Sequence, residues 1–511
     1  MSDISADLAQ DITKVAGGAG TVFTGTVFWA AASFLFGIYA ARVLGPADFG
    51  LYSLGLAVFN VLSILSLCGL DNGLVRFIAL FLGEGDRSRI KGTVLFGLVL
   101  VISVGVIIGL LLFIFSGFLS DQVFHKPGLT AVLQWFALGL PLFGGASVFW
   151  AVLQGFQNMK YLVGVKNVLE PSVRLIAVAL LFLAGFKLEA VLWSHLLAWT
   201  ISLAAAFFLA AKLSPLLKGD VRSVVEAKRV FYFSLPLLLV GFLNIGISRT
   251  DRLLLGYFRG SQEVGLYSAA FQTATLLMMI LQSFNTIFAP MISDLFNRHE
   301  KTKLEALFKA VTKWVLTAAL PLFGVFVLFP EKVLALFGAQ FTPGSGCLII
   351  LSSAQLINCL TGPVGYMLIM SGHPKVEFLN NLVIFLLEFG LALVLIPRYG
   401  IVGAAVAAGL ALSLVNGMRL VEVLRILKMH PYTARFWKPA VAGLVSFGGL
   451  ALAKGVLPAS PQPGLFILPA IALSLAAYGL VLAWLKLSPE DELVIRQFRQ
   501  RFRRKVVHVE P

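Results

Sequence analysis

The chain has 511 residues, of which 59% are hydrophobic and only 13% charged, and its formal net charge is +15. Ordinary soluble domains carry roughly 25% charged residues, so a soluble globular protein is excluded. Cys68, Cys347 and Cys359 all fall in apolar segments and are odd in number, which leaves neither a disulfide framework nor a CxxC metal site. The first thirteen residues carry Asp3, Asp7 and Asp11 without a Lys or Arg, so a cleaved signal peptide is not expected. Apolar runs then predict membrane-spanning helices at 18–40, 50–70, 92–118, 129–152, 172–186, 189–211, 231–257, 264–288, 314–329, 345–370, 378–396, 400–424, 437–457 and 464–485. The polar stretches between them, the longest at 212–229 and 297–313, are too short for a separate soluble domain, which needs about 50 residues.

The expected fold class is therefore all-α, a polytopic integral membrane protein with about fourteen transmembrane helices. If loops alternate sides, 31 Lys and Arg fall on one side and 7 on the other, while Arg249 and Arg252 lie inside a span. Basic flanks stay cytoplasmic, so both termini are expected there and the span count is expected to be even. The positive charge then reflects topology and contact with anionic membrane lipids, and no nucleic acid partner is expected.

Phe49-Gly50-Leu51-Tyr52-Ser53 follows the first span and Val264-Gly265-Leu266-Tyr267-Ser268 the seventh, an offset of 215 residues. Gly45 to Asp48 lies over Gly260 to Glu263 in the same register. Two pseudo-repeated six-helix lobes follow, at 1–212 and 213–430, with transmembrane helices 13 and 14 at 431–486 and a basic cytoplasmic tail at 487–511. In both lobes the apolar run after the repeated element is about 34 residues, or about 51 Å as helix against a bilayer core of about 30 Å. Gly69 and Gly73 in the first run and Pro290 in the second supply places to bend. Repeated lobes with interrupted helices are the build of alternating-access transporters.

The segment Ala40-Ala41-Arg42-Val43-Leu44-Gly45-Pro46-Ala47-Asp48-Phe49-Gly50-Leu51-Tyr52 resembles the entry segment of polysaccharide-precursor flippases, members of the multidrug/oligosaccharidyl-lipid/polysaccharide exporter superfamily. Asp251-Arg252 with Gly256, Gly155 with Lys160, and Ser371-Gly372-His373-Pro374-Lys375 agree with it in order. The resemblance implies two six-helix lobes arranged as a V, and two trailing helices that in the lipid II flippase branch form a groove for the lipid tail. It implies a lipid-linked glycan substrate, such as an undecaprenyl-diphosphate-linked oligosaccharide, moved from the cytoplasmic to the outer leaflet of the cell inner membrane. A polysaccharide polymerase and other assembly proteins are the expected partners, and no cofactor is expected. The alternative is an ion-coupled multidrug exporter of the same superfamily. Such exporters typically stop at twelve spans and bind cations in acidic cavities. An enzyme of glycan assembly would need a sizeable loop for its catalytic residues, and a scaffold would need no charges inside its spans.

Charges inside spans are costly, about 2.5 to 3.5 kcal/mol each on insertion scales, and so mark candidate sites. Arg249 and Arg252 are spaced i, i+3 and share a helix face, beside a stripe of Asn244, Ser248 and Asp251. They form either a cationic wall for the diphosphate or a pair snorkelling to headgroups with Asp251 as counter-ion. Glu170 and Arg174 suit an intrahelical ion pair or a substrate contact, and Asp71 and Arg76, beside the bend in the second span, likewise read as structural or as lining the inner vestibule. Gln272, Thr275, Gln282 and Thr286 share one face of span 8, suited to hydrogen-bonding a sugar or to interhelical bonding. Arg42 is a gate candidate with membrane anchoring as its other reading. Glu388, a lone acid deep in span 11, is the ion-coupling candidate, or the partner of an arginine from another span. His195, near Trp193 and Trp199, reads as an interfacial residue.

Overall fold

The computed structural model describes residues 2–213, 222–433, 436–456 and 463–484, and among these the chain is almost entirely helical, with no strand. The helices are α1 (Ser2–Leu67), α2 (Leu70–Gly83), α3 (Arg87–Phe118), α4 (Leu129–Gly155), α5 (Met159–Val163), α6 (Glu170–Leu183), α7 (Leu188–Leu213) and α8 (Ala227–Phe258). They continue as α9 (Ser261–Asn297), α10 (Lys301–Leu328), α11 (Pro330–Leu334), α12 (Ser345–Thr361), α13 (Val364–Met370), α14 (Pro374–Ile426), α15 (Trp437–Val456) and α16 (Pro463–Trp484). Among the described residues nine helical segments are long and apolar enough to cross a membrane. α1 and α14 each contain two predicted spans, divided at Gly45 (φ 72°, ψ 175°) and Gly400 (φ 55°, ψ −132°), conformations a glycine adopts without a Cβ penalty. The predicted tail at 487–511 and the linker at 214–221 lie outside the described residues.

Several boundaries differ from the sequence reading, among them the end of α9 at Asn297 and the start of α10 at Lys301. The fifth span starts well before residue 172: α5, a π-helical turn at Gly164–Leu169 and α6 run on from one another, and Asn158 caps the start by accepting from the Tyr161 N–H at 3.2 Å. Its first turns carry Lys160, Lys166 and Asn167, so hydropathy alone does not reveal them. The tenth span is broken between α12 and α13 at Gly362, where a Cβ would collide with Thr312. The long run after the first repeat element bends at Cys68–Gly69, both left-handed, whereas α9 runs unbroken through Pro290. Gly69 makes the bend usable for packing, because its missing Cβ leaves room for the carbonyl of Ser234 on α8.

The chain groups into two compact units. The first comprises Met1–Thr273, Phe337–Cys347 and Phe378–Ala411. Its core gathers Leu70, Leu74, Ile78, Phe81, Val101 and Leu153, and Phe59 stacks on Trp199 at 4.6 Å. α3 shows why these helices suit a bilayer: it buries Gly97, Val101, Gly105 and Gly109 at four-residue spacing, letting α4 approach, and exposes Ile107, Leu110, Ile114 and Phe118. In lipid that exposed face needs no polar cover, since every backbone group is satisfied within the helix.

The second unit comprises Ala274–Leu336, Leu348–Glu377 and Leu412–Pro511. Leu316 and Leu320 of α10 pack with Ala442 of α15 and Tyr478 of α16, and Phe447 fills the space beside Gly324. Glu377 and Arg419, at the two ends of the α14 hairpin, form a bidentate pair: Arg419 Nε donates to Oε2 at 3.0 Å and Nη2 to Oε1 at 2.5 Å. The parallel donors match the carboxylate fork, fixing the hairpin at this end.

Candidate functional site

Two groups of buried polar side chains meet within the first unit. The first lies between α1, α6 and α7. Arg174 is one turn after Glu170, and their Nη1 and Oε1 atoms are 3.4 Å apart. Arg174 Nη2 also donates to Ser33 Oγ at 3.0 Å, and its guanidinium lies 4.9 Å from the Phe36 ring centroid. Its Nε is buried with no hydrogen-bond partner. Tyr52, from the first repeat element, places its hydroxyl 2.9 Å from His195 Nε2, and the rings of Phe36, Phe136 and Trp199 enclose the imidazole.

The second group lies between α8, α9 and α14. Asp251 is 1% exposed, and its Oδ2 accepts from the Tyr267 hydroxyl at 2.7 Å. Its Oδ1 accepts from the Arg252 N–H at 2.7 Å and lies 3.9 Å from Arg252 Nη1. The Arg252 guanidinium sits 4.1 Å over Phe271, with Nη1 donating back to the Ser248 carbonyl at 2.9 Å. Glu388 is buried within electrostatic reach of Asp251 and Arg252, so the acid expected to stand alone belongs to this charge cluster. Arg249 is half-buried, and its Nε, like that of Arg174, has no hydrogen-bond partner.

The repeat organises both groups. Tyr52 and Tyr267 are equivalent positions, and each buries its hydroxyl against an ionisable residue from a neighbouring helix. Gly50 and Gly265 are equivalent too: a Cβ on Gly50 would collide with the carbonyl oxygen of Ser261, and one on Gly265 with that of Pro46. Ser261 is the repeat equivalent of Pro46, so the two copies cross in a pseudo-twofold backbone contact that only glycine permits. Tyr52 thereby lies within electrostatic reach of both Arg174 and Arg249. Gln272 adds a second link by donating to the Ser33 carbonyl at 3.1 Å, its amide filling the space beside Gly37.

Beyond this crossing, the Lys126 ammonium donates to the carbonyls of Gly256 and of Phe124, the latter at 2.7 Å. Lys126 lies in the loop between α3 and α4, and burial pushes its ammonium below the usual lysine range. Arg259 similarly donates to the carbonyls of Ile396 and Pro397, at 3.3 and 2.7 Å.

The remaining candidates are dispersed. Asp71 is exposed at the start of α2, and the Arg76 guanidinium sits 4.2 Å over Phe233. Gln282 is exposed, its carbonyl accepting from Thr286, and Arg42 is exposed three residues before the kink at Gly45. Arg249 and Arg252, one helix face by spacing, have different surroundings, because Arg252 folds back against its own helix and an aromatic ring. The expectation that His195 is interfacial is corrected: it is 3% exposed, since the Tyr52 hydroxyl and three rings replace its water. Sequence reasoning also missed Ser33, Tyr52, Tyr267 and Phe271. The repeat marked both tyrosines, but only as signs of homology.

A family model described as polysaccharide biosynthesis protein matches residues 39–345. Among similar curated proteins, a probable low-salt glycan biosynthesis flippase of Haloferax volcanii is 26% identical over 46% of this chain and 49% of its own length. The chain thus spans about half of that relative. Stage V sporulation protein B of Bacillus subtilis is 23% identical over 89% of this chain and 92% of its own. Among solved structures, the lipid II flippase MurJ in an inward closed conformation superposes with a TM-score of 0.69 at 13% identity, covering 90% of this chain and 97% of that one. A multidrug resistance transporter of the MATE family, inward-facing, gives 0.65 at 15% identity, covering 80% and 98%. The fold is that of these transporters, and the chain belongs to the polysaccharide biosynthesis protein family.

Proposed function

We propose that the protein is a flippase that moves a lipid-linked oligosaccharide, carried on undecaprenyl diphosphate, from the cytoplasmic to the outer leaflet of the cell inner membrane. Two six-helix lobes, 1–212 and 213–430, alternate access, with both termini cytoplasmic as the 31 to 7 basic asymmetry favours. The observation that carries this reading is the pair Arg174 and Arg249, each with a buried guanidinium Nε that has no acceptor. A buried donor left unmade costs about 1–3 kcal/mol, and a diphosphate supplies acceptors to both Nε atoms and a counter-charge for Arg249, that of Arg174 being already countered by Glu170. Arg252, held by Phe271 and Asp251, positions this wall rather than forming it. Glu388 is the ion-coupling residue, helices α15 and α16 serve the lipid tail, and a polymerase takes up the exported glycan. The multidrug alternative calls for open acidic acceptors, whereas Glu170 and Asp251 already have donors.

The test is export of lipid-linked glycan in Arg174→Ala, Arg249→Ala and the corresponding Lys variants, each checked for normal insertion. Loss of one charge-assisted contact of about 1.5–3 kcal/mol predicts a roughly 10- to 150-fold drop for Ala. Lys keeps the charge without the planar fork and is expected to recover part of it. Normal export by both Ala variants would remove the cationic-wall reading.

A further inference from the structure

The segment between α3 and α4 is built around one lysine. The Lys126 N–H donates to the Ser120 carbonyl at 2.7 Å, and the buried Ser120 hydroxyl donates back to the Lys126 carbonyl at 2.5 Å. The Phe124 N–H donates to the Leu119 carbonyl and the Leu129 N–H to that of Lys126, each at 2.9 Å, so both ends of the segment are closed. This frame aims the side chain. Lys126 Nζ donates to the Phe124 carbonyl at 2.7 Å and, 130 residues along the chain, to that of Gly256. These two carbonyls are its side-chain partners among the described residues, with no carboxylate.

Gly256 lies in the last turn of α8, which ends at Phe258 because Arg259 is extended (φ −133°, ψ 173°). Carbonyls of a last turn have no helical N–H to accept from and carry the negative end of the helix dipole. An ammonium there satisfies an orphan acceptor and is favoured electrostatically.

The repeat supplies a counterpart. Arg87 and Lys301 start α3 and α10, and Leu129 and Ser345 start α4 and α12, so Ala339–Gly344 stands in the second half where the Lys126 segment stands in the first. It too reaches the other half's first helix. Phe341, 1% exposed, sets its ring against Phe49 of α1 at 5.9 Å and 79°, and Phe337 meets Phe34 at 5.8 Å and 85°. Both connections belong to the first compact unit and land beside the Gly50–Gly265 crossing, since Phe49 adjoins Gly50 and Gly256 packs on Leu54 one turn later.

We infer that Lys126 is a latch, which by holding the α3–α4 segment on the end of α8 keeps the repeat elements crossed and closes the face of the protein on which it lies. It releases when that face opens. Water at the membrane surface replaces both partners of the ammonium on release, so the contact biases the closed state without locking it. This inference rests on the alternating-access reading above but not on the substrate assigned there.

The test uses the full chain in right-side-out and inside-out membrane vesicles, labelled with a membrane-impermeant maleimide after Cys68, Cys347 and Cys359 are changed to Ala. The reporter is Ser268→Cys. Ser268 is 6% exposed, its hydroxyl has no hydrogen-bond partner among the described residues, and it shares a helix face with Gly265, so the crossing covers it. Lys187→Cys, exposed in the connection from α6 to α7 and two crossings from Lys126, identifies the vesicles that present the same face. Lys126→Met keeps the stem and removes the donor, and is expected to raise the labelling rate of Ser268→Cys from that face about tenfold, the effect of one charge-assisted contact. Lys126→Arg is expected to label like its parent. Ser194→Cys, fully buried in α7, is expected to label slowly throughout. A parallel rise at Ser194→Cys would overturn the latch and leave Lys126 a stabilising helix cap only. Equal, measurable labelling of Ser268→Cys with Lys126 and with Met would also overturn the latch alone, whereas no labelling in either would overturn alternating access along with it.

Discussion

The crossing of the two repeat elements yields the most quantitative prediction. In Gly50→Ala the new Cβ would overlap the Ser261 carbonyl oxygen and stand 2.6 Å from its carbon and 2.9 Å from the Gly265 nitrogen. In Gly265→Ala it would overlap the Pro46 oxygen, 2.9 Å from its carbon and 3.1 Å from the Gly50 nitrogen. The obstacles are main-chain atoms, which cannot rotate away, so the helices must separate by about 1 Å. Such overpacking costs about 1–3 kcal/mol per substitution. A single separation relieves both clashes, so the double variant should lose less than the sum, with a coupling of at least about 0.5 kcal/mol. Equilibrium unfolding in mixed detergent micelles measures all three. Gly117→Ala is the control, since no atom outside its own helix lies within 4 Å and its change should be neutral or mildly stabilising. Neutral effects at Gly50 and Gly265, or strict additivity, would refute a shared contact.

Tyr267→Phe strands a buried carboxylate oxygen of Asp251 and is expected to cost about 1–3 kcal/mol, whereas Tyr52→Phe loses a neutral bond to His195 worth about 0.5–1.5 kcal/mol. Unfolding measurements that rank the two in the opposite order would contradict the charged setting of Tyr267. Glu388→Gln keeps the shape and removes the titratable group, so export should lose its dependence on the proton gradient; an unchanged dependence would move coupling to another residue. Truncation after Lys428 should leave a membrane-inserted protein without export, and normal export would dissociate α15 and α16 from the lipid tail.

Much of this protein is legible in one dimension because a bilayer imposes a one-dimensional rule. Each crossing must be an apolar helix about 20 residues long, so hydropathy finds the spans. The bend at Gly69 was legible for a similarly local reason, whereas Pro290, read in the same way, leaves α9 unbroken, and the kink at Gly45 was not foreseen. The start of the fifth span escaped because its first turns are polar, and helix propagation depends on the Asn158 cap as well as on hydropathy.

The site was legible only as a set of costly charges. Sequence spacing put Arg249 and Arg252 on one face, since i, i+3 geometry is local. Only the tertiary structure decided that Phe271 and Asp251 hold Arg252 while Arg249 and Arg174 keep unpartnered Nε atoms. His195 looked interfacial beside its tryptophans until Tyr52, 143 residues away, replaced water as its partner. Glu388 looked solitary because Asp251 lies more than a hundred positions earlier. The repeat itself was visible in sequence, but its purpose was not. That Gly50 and Gly265 meet backbone to backbone, and carry Tyr52 and Tyr267 into the two charge clusters, depends on contacts between helices far apart in the chain, which no local pattern encodes.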